Sequence, residues 1–185
     1  MIIRKATSKD AQFISPLLLL AMQDIVFQII GMKQENKALE FLLHFIKKEN
    51  NQYSYQNCFV AEENYKVIAA VNLYDGSKLK ELRKPIIEYV HKCFGTNLQI
   101  EDESGPGEYY IDSLGVSPSW QGKGVGTKLL QFLINEYVNL NKQTLGLLVD
   151  ENNPNAKKLY LKLGFSPVGK TLFLGKHYDH LQIKG

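Results

Sequence analysis

The spacing of apolar and polar positions changes along the chain, and the changes mark its elements. Residues 1 to 6 read as a short strand, and Ser8 or Asp10 can cap a helix that places Ala11, Ile14, Leu17 and Leu18 on one face. Pro16 removes a backbone hydrogen bond if it lies beyond the first turns, so a bend or a late start is expected there. A second amphipathic helix is predicted from about Asn36 to Lys48 through Leu39, Leu42, Leu43 and Ile46, ended by Asn50-Asn51-Gln52. Residues 57 to 62 and 67 to 74 are β-branched, aromatic or small and flank Glu63-Asn64-Tyr65-Lys66, which predicts two strands joined by a hairpin turn.

Residues 77 to 96 have a helical pattern with Pro85 as a break, and Glu101-Asp102-Glu103 with Gly105-Pro106-Gly107 reads as a solvated loop. Beyond it the alternation is clean. A strand from Glu108 to Val116 leads through a glycine-rich loop to a helix from about Gly124 to Leu140. A strand from Thr144 to Val149, a helix from about Pro154 to Leu163, and closing strands near Phe165 to Leu174 and His177 to Ile183 complete the chain. Strands interleaved with helices predict an α/β fold with a mixed sheet, in one domain over residues 1–185, with no repeat and no linker.

Composition narrows the classes. A 185-residue chain that is 44% hydrophobic and 22% charged lies in the globular range. The stretch from Pro16 to Met32 is interrupted by Gln23, Asp24, Gln28 and Gly31, short of the roughly 20 apolar residues of a membrane span, so no membrane partner is expected. A strand-like start without a basic segment ahead of an apolar core predicts a cytoplasmic protein rather than a secreted one. Cys58 and Cys93, the two cysteines, form neither a disulfide scaffold nor a CxxC pattern and are expected to be buried thiols. A net charge of +3, carried almost wholly by scattered lysines with Arg4 and Arg83 the only arginines, does not point to nucleic acid. The four histidines stand at no metal-ligand spacing, so no metal is expected.

Two segments carry chemistry. In Gln121-Gly122-Lys123-Gly124-Val125-Gly126-Thr127, three alternate glycines let the backbone pass close to a ligand, and the helix they open offers free N–H groups to a phosphate. The dinucleotide fingerprint fails because Thr127 stands where its third glycine belongs, and a P-loop fails at Ser117 and Gly124. In the second segment, Pro154 after Asn153 and Gly164 before Phe165 bound a short helix with Ala156 and Tyr160 one turn apart on one face.

Together, Gln-x-x-Gly-x-Gly after a strand and Asn-x-x-Ala-x-x-x-Tyr-x-x-x-Gly-Phe after the next resemble the two signature motifs of the GNAT superfamily of N-acetyltransferases. The resemblance covers nearly the whole chain and implies a single-domain GNAT-like fold: a central mixed β-sheet flanked by helices, with a helical insert of about residues 75–107 between the third and fourth strands. It implies acetyl-CoA as cosubstrate, its pyrophosphate held by main-chain N–H groups of Gln121, Gly122, Lys123, Gly124, Val125, Gly126 and Thr127. Leu114, Gly115 and Val116 would pair with the pantetheine arm like an added strand, a bulge at Gly115 exposing an N–H for the thioester oxygen. Asn153 would contact the pantetheine and Tyr160 would protonate the departing thiolate.

The acceptor amine must lose a proton before it attacks. Family members often carry an acid at the position of Asp112, which makes it the first candidate base; Glu108, acting through water, is the second. Strand alternation puts Glu108, Tyr110, Asp112 and Leu114 on one face. The expected activity is direct acetyl transfer to a primary amine of a small molecule, polyamine-like or otherwise cationic, with the acidic run Glu101-Asp102-Glu103 drawing cations to the site. The alternatives are a protein or peptide N-acetyltransferase and a non-catalytic acyl-CoA-binding regulatory module. The insert would either cover the acceptor site or form a homodimer contact.

Overall fold

The computed structural model describes residues 1–185. Seven strands form one sheet: β1 (Ile2–Lys5), β2 (Cys58–Glu63), β3 (Lys66–Asp75), β4 (Tyr109–Val116), β5 (Leu145–Asp150), β6 (Ser166–Phe173) and β7 (Lys176–Ile183), in spatial order β1-β2-β3-β4-β5-β7-β6. All neighbours are antiparallel except β4 and β5, which run parallel. Asn64 and Tyr65, both at positive φ, make the tight turn between β2 and β3.

Alternation along the strands feeds two cores. On one face Val60 and Ala70 pack with three helices, α1 (Ala11–Ile30), α2 (Glu35–Ile46) and α3 (Leu79–Phe94). On the other face Phe59, Ala61, Ala69 and Val71 pack with α4 (Val125–Leu133) and α5 (Pro154–Lys162). The helix after the glycine-rich loop is regular only to Leu133 and continues as a π-helix over Ile134–Leu140.

Neither predicted proline break occurs where it was expected. Helix α1 runs through Pro16, and α3 runs through Pro85. The carbonyls left without a partner belong to Gln12 and Glu81, both exposed residues on the solvent side of their helices, where water can satisfy them. The one departure from helical geometry in α1 is at Met22 (φ −136°, ψ 28°). Nor does Ser8 or Asp10 cap in the expected sense: the Asp10 carboxylate turns back to accept from the Thr7 N–H at 2.8 Å and is gripped by Arg4.

By length and composition the stretch Ser8–Ile30 is apolar enough to cross a membrane, contrary to the count made on sequence. In the fold it packs on α2, β3 and β4, and half of its apolar window is buried. Cys58 is buried as expected, whereas Cys93 is exposed on α3.

The insert between β3 and β4 consists of α3 and the loop that follows it. Within it Arg83 pairs with Glu103 and Asp102, Lys80 pairs with Asp102, and the Glu101 carboxylate accepts from the Leu174 N–H at 3.0 Å. The acidic run is therefore a clasp that holds the loop. Glu103, read from sequence as solvated, is buried at 3% exposure.

Candidate active site

Strands β4 and β5 pair only at their beginnings, Tyr109–Ile111 against Leu145–Leu147, and then diverge. Past Ile111, the edge of β4 that faces β5 has no strand partner, while its other edge stays paired to β3 as far as Val116. A cleft of about 770 Å³ occupies the gap, lined among others by Leu114, Asn153, Ala156 and Tyr160 and, where it deepens, by Asp112.

A register shift between β3 and β4 creates the deep end. Asn72 lies opposite Ser113 and Leu73 opposite Ile111, so Asp112 is the extra residue of a β-bulge. The bulge belongs to Asp112 and not, as expected, to Gly115. It also resets the alternation: Tyr110 and Asp112 face the side of α1 and α3, while Leu114 and Val116 join the core under α4 and α5. The expected single face from Glu108 to Leu114 is thus broken after Asp112.

Gly115 answers to packing instead. A Cβ there would sit 1.9 Å from the Leu17 carbonyl oxygen, so glycine is what lets α1 lie against β4 and carry Met22 and Ile25 to the cleft wall.

Asp112 Oδ1 accepts from Gln52 Nε2 at 3.3 Å, while Oδ2 is buried without a partner. Burial pushes its carboxyl up to about 6 despite the Gln52 hydrogen bond and the Arg83 charge, which favour the ionised form. Glu108 is placed differently. Its carboxylate is held by His180 at 2.9 Å, Gln182 at 2.7 Å and Ser104 at 2.9 Å, under a Gly146 whose Cβ would collide with it. Burial raises its pKa, but these hydrogen bonds outweigh that and keep it below the usual carboxylate range. Glu108 lines neither the cleft nor the chamber beyond Asp112. The structure therefore brings Asp112 and Tyr160 to one cleft and leaves the second candidate base outside it.

Tyr160 lies on the face of α5 that turns to the cleft, edge-on to Phe165 at 5.9 Å, and burial raises its phenol above the ordinary tyrosine value. Asn153 caps α5, its Oδ1 accepting from the Ala156 N–H at 3.1 Å. The glycine-rich loop does not line the cleft but adjoins it through Gly126, where a Cβ would stand 3.4 Å from the Leu114 side chain. Gly122 (φ 74°) and Gly124 (φ 76°) adopt left-handed geometry with open space where a Cβ would stand, and Gln121 Nε2 ties the loop to the Val116 carbonyl at 3.0 Å. The first bond closing a helical turn there is Lys128 N–H to the Gly124 carbonyl at 3.0 Å, so the N–H groups ahead of it at the head of α4 have no helical partner. Trp120 packs beside the loop with Lys123 Nζ 5.1 Å from its ring centre.

Sequence reasoning missed Gln52, Arg83 and Tyr74. Gln52 Nε2 donates to Glu103 (2.8 Å) and lies 3.2 Å from the Tyr74 hydroxyl, and Arg83 Nε donates to Gln52 Oε1 at 3.3 Å. The available signal was scarcity: Arg83 is one of only two arginines among 22 basic residues, and it stands in a helix otherwise supplied with lysines.

The sheet is thus splayed around an open strand edge, with free helix N–H groups beyond one end of that edge and a buried carboxylate at the other. Comparison with known proteins names the class: the profile of the acetyltransferase (GNAT) family matches residues 30–165, and the chain belongs to that family. A crystal structure of an acetyltransferase superposes over 100% of this chain and 99% of its own, with TM-score 0.82 and 33% identity. An N-acetyltransferase from Staphylococcus aureus shares the fold over 99% of this chain and 100% of its own, with TM-score 0.85 and 24% identity. In sequence, the spermine/spermidine N(1)-acetyltransferase of Bacillus subtilis is 31% identical over 84 residues, 45% of this chain and 55% of that protein. The spermidine N(1)-acetyltransferase of Escherichia coli is 38% identical over 58 residues, 31% of each. The chain spans about half the length, or less, of the curated relatives it matches.

Proposed function

We propose that residues 1–185 act as one cytoplasmic N-acetyltransferase domain that transfers acetyl from acetyl-CoA directly to a primary amine of a small, cationic molecule. The observation that carries this reading is the splayed β4–β5 cleft, which has Asp112 at its deep end and Tyr160 on its wall. The N–H groups from Gln121 to Thr127 hold the pyrophosphate, and the open edge of β4 at Leu114, Gly115 and Val116 pairs with the pantetheine, with Asn153 on the opposite side.

The reaction then runs as follows. Asp112, ionised above its raised pKa, takes a proton from the ammonium. The free amine attacks the thioester carbon, and an N–H of the β4 edge stabilises the oxyanion. The C–N bond forms, the C–S bond breaks, and Tyr160, kept protonated by burial, delivers its proton to the sulfur. The second proton lost from nitrogen restores the phenol through solvent, leaving amide, CoA thiol and one released proton. Asp112 rather than Glu108 serves as base, because Glu108 lines neither the cleft nor the chamber and its carboxylate is held by His180, Gln182 and Ser104.

The relatives named for spermine and spermidine support a small amine as acceptor. The acidic run gives no separate support, since its carboxylates are held in the insert. The test is amine-dependent CoA release across polyamines, aminoglycosides, amino acids and peptides. Tight acetyl-CoA binding with no amine-dependent release would favour the non-catalytic module, and peptide-only turnover would favour the protein acetyltransferase.

A further inference from the structure

Next to the cleft, and sharing Met22, Ile25, Asp112, Leu148 and Tyr178 with it, lies a chamber of about 60 Å³. Much of its wall is aliphatic, from Ile25 and Ile29 of α1, Ile86 of α3 and Leu98 and Ile100 of the insert loop, while Gln52 and the tyrosines Tyr53, Tyr110 and Tyr178 add neutral polar atoms. Three charged side chains reach it, Arg83, Glu103 and Asp112. Two of them cancel. Arg83 and Glu103 are paired with each other at 5% and 2% side-chain exposure, and Glu103 also accepts from Gln52 and from the Tyr74 hydroxyl at 2.9 Å. Asp112 Oδ2 is left as the one carboxylate oxygen of the chamber that is covered and unpartnered, and no unpaired cation lines it.

Resting on the transfer reaction proposed above, we infer that the acceptor is a monoamine with a short aliphatic substituent, its nitrogen on Asp112 Oδ2 and the far end of its carbon chain in the chamber. A second ammonium on that chain would leave water for a wall that offers neutral hydroxyls and aliphatic carbon but no free counter-ion, since Glu103 is taken by Arg83. A carboxylate on the chain fares no better, because Arg83 is already bound to Glu103. The volume sets the length. About 60 Å³ is well under the ~150 Å³ cavity that admits benzene, which selects a short chain over a ring: the carbons next to the nitrogen stay beside Asp112 and only the far end of a butyl group enters the chamber. Asp24 and Asp150 line only the outer cleft, where Asp24 faces Lys176 at 3.5 Å and Asp150 accepts from the Asn152 N–H at 2.8 Å. A polyamine tail seeking them would run along the path of the pantetheine.

The test compares kcat/KM for three acceptors that share a chain length and differ at the far end: butylamine, putrescine and γ-aminobutyrate. Butylamine is expected to exceed each of the others at least tenfold, mainly through KM. Ile100→Glu, which adds a carboxylate to the wall from a loop position, should shrink or reverse the gap between butylamine and putrescine. Putrescine turned over by the parent as well as butylamine overturns the inference and leaves amine acetylation standing; so does an Ile100→Glu protein that folds and keeps the parental preference. Should that variant fail to fold, the parental series decides alone. No amine-dependent CoA release with any acceptor, while calorimetry still shows acetyl-CoA bound, overturns the reaction and the inference together.

Discussion

At Asp112 stability opposes the proposed role as base, and the opposition has a size. Burial lifts its carboxyl from 3.8 to about 6. A group with a higher pKa folded than unfolded binds its proton more tightly in the fold, so the stability it adds is full below the unfolded value and is lost as pH rises through about 6. The rise from 3.8 to about 6, converted at about 1.36 kcal/mol per tenfold change in proton affinity, puts that loss at about 3 kcal/mol above neutral pH. Asp112→Asn cannot ionise and escapes it. For a domain of this size 1 kcal/mol moves Tm by about 2–4 °C, so the variant should melt up to about 6–12 °C above the parent at pH about 8. The amide's own imperfect partners reduce this gain, and the difference should narrow through pH about 6 and be small near pH about 4.

The same substitution should depress turnover most between pH about 6, below which the parental carboxyl is itself protonated, and the amine's own pKa of about 10, near which the acceptor no longer needs a base. Paired thermal melts and kcat/KM profiles of parent and variant across this range provide the measurement. Melting curves whose separation does not change with pH would refute the raised proton affinity of Asp112. A loss of activity equal at every pH would assign it to orienting the amine rather than taking its proton.

Much of this architecture is legible in local spacing, and what is not depends on partners distant in sequence. The order of strands and helices follows from periodicity, and Asn153, Tyr160 and Leu114 fall on the cleft because their motifs sit at the ends of elements that the pattern locates well. The bulge does not follow. Nothing in Tyr109 to Val116 marks Asp112 as the extra residue, since the register is set by Asn72 and Leu73 on β3. Residue type pointed to Gly115, whose reason is the approach of a helix a hundred residues earlier in the chain. Glu103 reads as solvated because its neighbours are acidic and polar. Its burial depends on Arg83 and Gln52, 20 and 51 residues away. The prolines mislead in the same way: whether a lost hydrogen bond breaks a helix depends on which side of the fold the orphaned carbonyl faces, and local sequence does not say.

Three further substitutions separate cosubstrate binding, chemistry and scaffold. Gly124→Val forces a β-branched residue into left-handed geometry and projects it into open space at the head of α4, so calorimetry should show acetyl-CoA affinity falling far more than with Lys123→Ala; parental affinity would remove the loop from the binding site. Tyr160→Phe should slow single-turnover transfer by about 10² to 10⁴ with CoA affinity within a few fold, and an unchanged rate would leave water as the proton donor. Gly115→Ala tests the scaffold. Its Cβ would meet the carbonyl oxygen and carbon of Leu17 at 1.9 and 2.5 Å, and because these are backbone atoms no rotamer relieves the clash. Helix α1 must then lift from β4, at a cost of about 1–3 kcal/mol or more. The displaced helix carries Met22 and Ile25, which line the cleft and the chamber. Tm should therefore fall and the acceptor KM rise, and a Tm equal to the parent's would mean that α1 does not depend on glycine to reach the sheet.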